Sequence, residues 1–285
     1  MNFKRQLDPR LRWQSQIPLF IAIAMGTGSI ALQCLALSRV APARVIQSLL
    51  MGLILALLTW RFRAATAGAA VTGGLFTMEL YLSTPGWRTA VWPLVTLLLL
   101  TLAATRFGRV RKEKLGLAEG RHGRTATQVA ANLGVAVLVS IPVGFSRLFV
   151  VPHIFSAGAM QLALAAALAE AAADTLSSEL GEVLGGEPRL LTTFRQVAAG
   201  TDGAISVVGT LAGLTGAAAV AIVASVALSL APLQTFMVWV AAVVGLFVDS
   251  FLGAVFERRG WLNNDAVNFL STLTSAALAT AIGTL

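Results

Sequence analysis

The feature that most constrains this chain is the recurrence of apolar stretches long enough to cross a lipid bilayer. Crossing the hydrocarbon core takes about 20 apolar residues in a helix. Nine stretches approach or reach that length, at roughly 17–37, 45–60, 64–82, 89–104, 126–145, 148–169, 204–230, 233–256 and 266–284. Because 56% of the residues are hydrophobic and only 12% are charged, the sequence predicts an all-α polytopic membrane protein with about nine transmembrane helices in one bundle.

The basic residues predict how this bundle is oriented. With a cytoplasmic N-terminus, most of the 21 Lys and Arg residues fall on the inner side, as the positive-inside rule requires. Nine spans then place the C-terminus outside. The stretch 64–82 is weak because it is glycine-rich and contains Glu79, but omitting it would destroy this asymmetry. Topology therefore explains most of the net charge of +8, and no nucleic-acid partner is expected.

The same orientation predicts the domain organisation. Residues 1–16 form a basic cytoplasmic tail, and residues 17–284 form a single transmembrane bundle in the cell (cytoplasmic) membrane. The predicted active-site loops, at 105–125, 170–203 and 257–265, face the cytoplasm. The oligomeric state stays open, as does the question of whether 64–82 crosses fully.

The segment 170–181, EAAADTLSSELG, places acids and hydroxyls directly after an apolar stretch. Such groups are costly at a membrane helix, so they indicate a bound cation or substrate; a plain helix end is the alternative. Glu170, Asp174 and Ser178 share one helical face, whereas Glu179 lies about 140° around an ideal helix from Asp174. Either the helix breaks between these two acids, or Glu179 has another role. Mg²⁺ is the expected cation because it takes one or two carboxylates together with water and phosphate oxygens.

Two basic segments precede this motif. In the loop 105–123, Lys112, Lys114 or Arg109 is a candidate for binding phosphate at the membrane surface, with a topology-setting role beside anionic lipid as the alternative. At the start of the fifth span, Arg124, Gln128 and Asn132 line one helical face. This stripe predicts a path into a site, and hydrogen bonding between helices is the alternative.

Polar residues also accompany the last three spans. In the segment 200–206, Thr201 or Asp202 is expected to cap the seventh span, where free N–H groups bind phosphate, while the later glycines Gly209 and Gly213 predict close helix packing. Asp249 lies inside the eighth span and is a functional candidate by its depth, with a carboxylate paired purely for structure as the alternative. The last span opens with LNNDAVNFLST, whose amides can bind phosphate or nucleotide. Four polar clusters therefore meet one leaflet, a combination that favours phosphoryl or nucleotidyl transfer to a lipid whose tail lies in the bundle.

The motifs RTATQVAAN, ADTLSSELG, GTDGAISVVGTLAG and VDSFLGAVFERRG…LNNDAVNFLST together resemble the integral-membrane family of plant phytyl-phosphate kinase. The resemblance runs from about residue 105 to the C-terminus, with weaker similarity before that. A more distant resemblance links the chain to phytol kinase, dolichol kinase and CDP-diacylglycerol synthase. It implies transfer of phosphate from a nucleoside triphosphate, CTP being favoured, to an isoprenyl monophosphate such as the phytyl or geranylgeranyl compound.

The resemblance and the residue patterns select the same side chains. The candidate catalytic and Mg²⁺-binding residues are Asp174, Asp249 and Glu179. The candidate phosphate-binding and head-group residues are Lys112, Arg124, Asn132, Thr201, Asp202, Gly203, Ser206, Asn264 and Asn268. Two other functions stay open at this point: a CTP-dependent lipid cytidylyltransferase, and a secondary transporter of an anionic substrate.

Overall fold

The computed structural model describes residues 9–117, 123–149 and 156–284, and these residues are mainly helical. The α-helices found there are α1 (Arg12–Leu37), α2 (Pro42–Arg61), α3 (Ala67–Ser83), α4 (Val91–Arg106), α5 (Arg109–Leu115), α6 (Ala126–Leu148), α7 (Ala157–Leu184), α8 (Val207–Leu228), α9 (Pro232–Leu252) and α10 (Asn264–Gly283). A 3₁₀ turn at Pro9–Leu11 leads into α1, and a π-helical turn at Gly253–Glu257 continues α9. Two short strands, β1 (Arg189–Leu190) and β2 (Ala204–Ile205), pair antiparallel between α7 and α8.

The helices confirm an all-α polytopic membrane protein. Within the described residues, seven helices are long and apolar enough to cross a membrane, and an eighth span results if α4 and α5, which are bent by 61°, are counted together. Each of the nine predicted stretches corresponds to one helix, but α3 has only 17 residues. The count of nine spans and the sidedness of the termini stay predictions.

The boundaries of the sixth predicted span were wrong. The helix that corresponds to 148–169 is α7, which begins after the capping residue Ser156 and continues without a break to Leu184. The acids at 170–179 look like a membrane boundary in sequence, yet α7 contains no proline and continues through Gly181 to Leu184. Residues 170–184, predicted as part of a loop, are therefore helical. The preceding residues 150–155 lie outside the described part of the chain.

Two other predicted boundaries also change. The tail predicted at 1–16 overlaps α1, which begins at Arg12, and residues 1–8 lie outside the described residues. The loop predicted at 105–125 contains α5, and its residues 118–122 are likewise outside the described part.

Helix α7 lies at the centre of the bundle and packs against α4, α6, α8, α9 and α10. Its alanine-rich surface lets neighbouring backbones approach closely, which is how membrane helices gain packing energy without a hydrophobic driving force. In α8, Gly209 and Gly213 lie directly against the carbonyls of Ser177 and Ala173 of α7 and leave no room for a Cβ. The close packing predicted from the GxxxG spacing is thus confirmed.

Asn263 joins the first and last helices at the end of the bundle that carries the polar clusters. Its Oδ1 accepts a hydrogen bond from the backbone N–H of Ala266 and caps α10. Its Nδ2 donates to the carbonyl of Leu11 and the hydroxyl of Ser15, each at 2.9 Å. Its own backbone N–H donates to Gln14 Oε1 at 2.9 Å. Helix α1 therefore fixes the point at which α10 begins.

Candidate active site

The predicted site residues converge on one polar cavity of about 230 Å³. Its walls come from α6, α7, the loop 199–206, α9 and α10. The predicted residues that line it are Arg124, Asn132, Asp174, Glu179, Thr201, Asp202, Gly203, Ser206, Asp249, Asn264 and Asn268. Side chains from four separate segments of the chain are thus brought together, as the convergence of the four polar clusters predicts.

Asp174 of α7 and Asp249 of α9 present carboxylates to this cavity from facing helices, and both are partly buried. Within the described residues, Oδ2 of Asp249 is buried and has no hydrogen-bond partner. The two acids interact electrostatically with each other and with Glu170, whose side chain is 1% exposed. Burying like charges this close is unfavourable unless a cation or proton compensates them.

The carboxylates fit a magnesium ion better than an ion that needs a full protein cage. Among the residues described, no group of three or more His, Cys, Asp or Glu side chains is arranged to hold a metal. Mg²⁺ commonly takes one or two carboxylates and completes its octahedron with water and substrate phosphate. The unpaired Oδ2 of Asp249 is the atom that such an ion would satisfy.

The loop 199–206 covers the end of α9 and is held there by Gly203. Gly203 has a φ of 70°, and a Cβ at this position would collide with the backbone N of Ala254 and the carbonyl of Ser250. These two residues lie at the change from α-helix to the π-helical turn, an irregularity frequent at functional sites. Only glycine lets the loop lie this close to α9.

The cap of α8 lies further along the chain than predicted. Neither Thr201 nor Asp202 caps the helix; Ser206 does, since its Oγ accepts from the backbone N–H of Gly209 at 3.1 Å. The hydroxyl of Thr201 instead donates to the carbonyl of Ala198 at 2.7 Å. The segment 204–205 is taken up by strand β2, which delays the start of the helix.

Arg124 is anchored through its backbone and directs its guanidinium to the cavity. Its N–H donates to the carbonyl of Ala64, and its carbonyl accepts from the N–H of Thr66, each at 3.0 Å. Its Nη2 donates to the hydroxyl of Thr175 on α7 at 3.3 Å, and the guanidinium interacts electrostatically with Asp174. A cation thus lies beside the acids, where a phosphate would need charge neutralisation.

Two amides join α6 to α10 across the cavity. Nδ2 of Asn268 donates to Oδ1 of Asn132 at 3.3 Å, and Nδ2 of Asn132 donates to the carbonyl of Gln128 at 2.9 Å. Asn264 lies one turn before Asn268 on α10 and is exposed at the cavity surface. These groups can donate hydrogen bonds to a polar head group.

Lys112 is the predicted site residue that does not line the polar cavity. It is 2% exposed, forms an ion pair with Glu179 and donates to the carbonyl of Ala104 at 2.9 Å. Because α7 continues unbroken, Glu179 lies about 140° around the helix from Asp174. It pairs with this lysine and also accepts from the hydroxyl of Thr105 at 3.2 Å. The second alternative left open by the sequence, another role for Glu179, is the one that this geometry favours.

Sequence reasoning missed several residues that line the cavity. Glu182 follows Asp174 and Ser178 on the same face of α7, and this spacing was a sufficient signal. Glu257 lies in the π-helical turn beyond Asp249, and Thr175 is the hydroxyl that receives Arg124. This last contact could not be read from local spacing because it joins α7 to the segment that precedes α6.

A second, larger and mainly apolar cavity adjoins the polar one. It measures about 540 Å³ and lies among α2, α3, α4, α5 and α6. Arg124 and Asn132 line both cavities, so the two spaces meet at these residues.

The fold and the site define an integral membrane protein with a polar, acid-containing cavity at one end of a helical bundle. The chain belongs to the family described as integral membrane protein DUF92, which matches residues 50–276. The resemblance stated from the motifs is confirmed at this level, and the match includes part of the chain before residue 105, where only weaker similarity was expected.

Relatives come from archaea, cyanobacteria and plants. The chain is 38% identical over 136 residues to the uncharacterized membrane protein MJ0933 of Methanocaldococcus jannaschii, covering 47% of this chain and 56% of that protein. It is 32% identical over 188 residues to the chloroplastic protein VTE6 of Arabidopsis thaliana, covering 62% of this chain and 53% of that protein. It is 31% identical over 182 residues to the uncharacterized membrane protein sll0875 of Synechocystis, covering 63% of this chain and 68% of that protein. The chain thus spans about half the length of the archaeal and plant relatives, and no solved structure matches it.

Proposed function

We propose that this protein is a membrane-embedded kinase that transfers a phosphate from a nucleoside triphosphate, CTP being favoured, to an isoprenyl monophosphate. The observation that carries the proposal is the polar cavity itself. It combines two carboxylates on facing helices, an arginine and several amide donors at one end of an apolar bundle. Phosphoryl transfer needs positioning and charge neutralisation more than covalent chemistry, and this is what such a cavity supplies. The resemblance to the phytyl-phosphate kinase family supports the same substrates.

Asp174 and Asp249 would hold Mg²⁺, which when bound neutralises phosphate charge and orients the triphosphate. Arg124 would contact the phosphate of the lipid and neutralise the charge that develops on the transferred group. The backbone of the loop that contains Thr201, Asp202 and Gly203 would contact the nucleotide phosphates. Ser206 is occupied in capping α8, and its backbone lines the same wall.

The amide groups would orient the lipid head. Asn132 and Asn268, already paired across the cavity, can each turn a donor toward a phosphate oxygen, and Asn264 lies at the exposed rim. We assign Glu179 and Lys112 a positioning role because each satisfies the other's charge.

In the proposed reaction, an oxygen of the lipid monophosphate attacks the γ-phosphorus of the triphosphate in line. One P–O bond forms between the two phosphates, and the bond between the β–γ bridging oxygen and the γ-phosphorus breaks. The products are the isoprenyl diphosphate and the nucleoside diphosphate. No group of the protein needs to form a covalent intermediate.

The test uses purified full-length protein in detergent with geranylgeranyl monophosphate, Mg²⁺, and CTP labelled on its γ-phosphate. Labelled isoprenyl diphosphate is expected, and ATP in a parallel series defines the donor preference. CTP labelled on its α-phosphate must give no labelled lipid; label transferred from that position would identify a cytidylyltransferase instead.

Asp249→Asn is expected to abolish transfer, and the matched control is Glu187→Gln, the same change of acid to amide at an exposed position outside the cavity. The proposal fails if folded wild-type protein gives no labelled lipid with any donor, or if Asp249→Asn retains near wild-type turnover.

A further inference from the structure

The apolar cavity has the dimensions and shape of a binding site for a single hydrocarbon chain. Ligand sites commonly measure about 300–1,000 Å³, and this one is about 540 Å³. One wall is a face of α3 formed by Ala69, Gly73 and Thr77, over which a helix advances about 12 Å. The opposite wall is the leucine-rich face of α4 that runs from Leu94 to Thr105. The space is therefore long along the helix axes and lined mainly by hydrocarbon.

One end of this cavity is basic. Arg63, Arg106, Arg109 and Arg124 all contribute to its lining, and they lie where α2, α4, α5 and α6 begin or end. The opposite end, around Leu94 and Thr77, carries no charged residue among the lining residues described. A molecule that suits both ends has an anionic head and an apolar tail.

The point where the two cavities meet indicates where the occupant's head group would lie. Because Arg124 and Asn132 line both, a phosphate held there can reach the polar cavity while its tail extends into the apolar one.

Gly73 lies midway along the α3 wall. A Cβ built at Gly73 would have no atom within 4 Å, so its missing side chain leaves space and is not required by helix packing. Ala69 precedes it by one turn on the same face, toward the basic end, and Thr77 follows one turn deeper. Any larger residue at this position would project into the cavity at about half its depth.

We propose that the apolar cavity binds the tail of the lipid monophosphate and that Gly73 determines how long a tail it accepts. The identity of the head group rests on the proposed function; the tail site and its depth rest on the cavity alone. A side chain at position 73 would leave room for a short tail near Arg124 and would exclude the distal part of a long one.

Binding without nucleotide tests this proposal independently of catalysis. Purified full-length protein in detergent is titrated with geranyl, farnesyl and geranylgeranyl monophosphate and with octyl and hexadecyl phosphate, and bound lipid is counted by native mass spectrometry. Wild-type protein is expected to bind the long members more tightly than the short ones, since each buried methylene contributes to affinity.

Gly73→Leu should reduce this preference for long tails by about tenfold or more while geranyl monophosphate binds as before. Gly28→Leu is the matched control, because Gly28 of α1 also has no atom within 4 Å of its Cβ position and is exposed away from the cavity. Gly73→Ala adds one methyl group and should reduce the preference for long tails by a smaller factor. This milder variant still tests the proposal if the leucine variant folds poorly.

The outcomes separate the two proposals. If Gly73→Leu and Gly73→Ala, both folded, keep the wild-type length series, the tail does not lie beside Gly73 and this inference is wrong. If the alkyl phosphates show the length effect but no γ-phosphate is transferred to any prenyl phosphate, the tail site stands and the kinase assignment falls.

Discussion

Lys112 and Glu179 form a buried ion pair that ties the short helix α5 to the central helix α7. Lys112 belongs to the lining of the apolar cavity and Glu179 to that of the polar one. The pair thus lies between the two cavities, beside Thr105, which also donates to Glu179.

Removing one partner of this pair should destabilise the protein strongly. Lys112→Met leaves Glu179 without its cation, and breaking a buried pair in this way costs about 3 kcal/mol or more. The double variant Lys112→Met/Glu179→Gln should recover much of the loss, because no charge is then left unpaired. Melting temperatures in detergent give this comparison. Transfer activity in the double variant would support the positioning role, whereas inactivity of a folded double variant would restore Glu179 or Lys112 as a direct contributor.

Asp249→Asn should remove magnesium-dependent stabilisation without unfolding the protein. Oδ2 of Asp249 is buried and unpaired, so replacing the charged group with an amide relieves an unfavourable burial and leaves the melting temperature equal or higher. In wild-type protein, saturating Mg²⁺ with CTP should raise the melting temperature, since a ligand that binds only the folded state stabilises it. Asp174→Asn should behave in the same way, and Glu187→Gln should keep the wild-type response. A full response to Mg²⁺ in Asp249→Asn would remove this residue from the metal site.

Gly203→Ala should displace the loop that covers α9 and abolish activity. The substitution combines a left-handed backbone, which costs a non-glycine residue about 1–2 kcal/mol, with a collision against Ala254 and Ser250. Gly186→Ala isolates the first effect, because Gly186 has a φ of 63° and no atom within 4 Å of its Cβ position. Turnover and protease sensitivity of the loop are measured for both variants. Equal effects of the two changes would show that the close approach to α9 does not matter.

Arg124→Lys should lower the catalytic efficiency with the lipid phosphate although the positive charge is kept. A lysine loses the planar fork that can contact Thr175 and a phosphate at once. Hydrogen bonds to charged groups contribute about 1.5–3 kcal/mol, so kcat/KM for the isoprenyl monophosphate should fall by roughly 10–100-fold. Arg189→Lys, an exposed arginine that donates to the carbonyl of Phe194, is the control and should stay near wild type. An unchanged kcat/KM in Arg124→Lys would show that this guanidinium does not contact the substrate.

Most of the helical framework was predictable because each helix carries its own apolar stretch. The convergence of Asp174, Arg124 and Asn132 was predictable as well, since helical spacing gives the faces and the basic residues give a common end. The length of α7 was not. Hydropathy falls at Glu170, yet α7 continues to Leu184 and carries the acids within a helix.

Contacts between distant segments escaped prediction for a different reason. The pairing of Lys112 with Glu179 depends on the 61° bend between α4 and α5. Gly108 permits a break there with its φ of 63°, but the sequence does not show which helix the bend brings α5 against. The start of α8 at Val207 depends on β2 pairing with β1, a contact made across the intervening loop. Spacing identifies residues on one helix, and only packing decides which helices face one another.

The joint at Asn263 sets a practical limit on how this protein can be shortened. The segment shared with the family begins at residue 50, after the whole of α1, yet Leu11, Gln14 and Ser15 of the N-terminal region hold the residue that caps α10. A fragment trimmed to the shared segment would lose the brace for the helix that carries Asn264 and Asn268. The first helix is therefore a scaffold for α10 and the side of the polar cavity that α10 forms, and expression work aimed at a minimal folded protein should retain it.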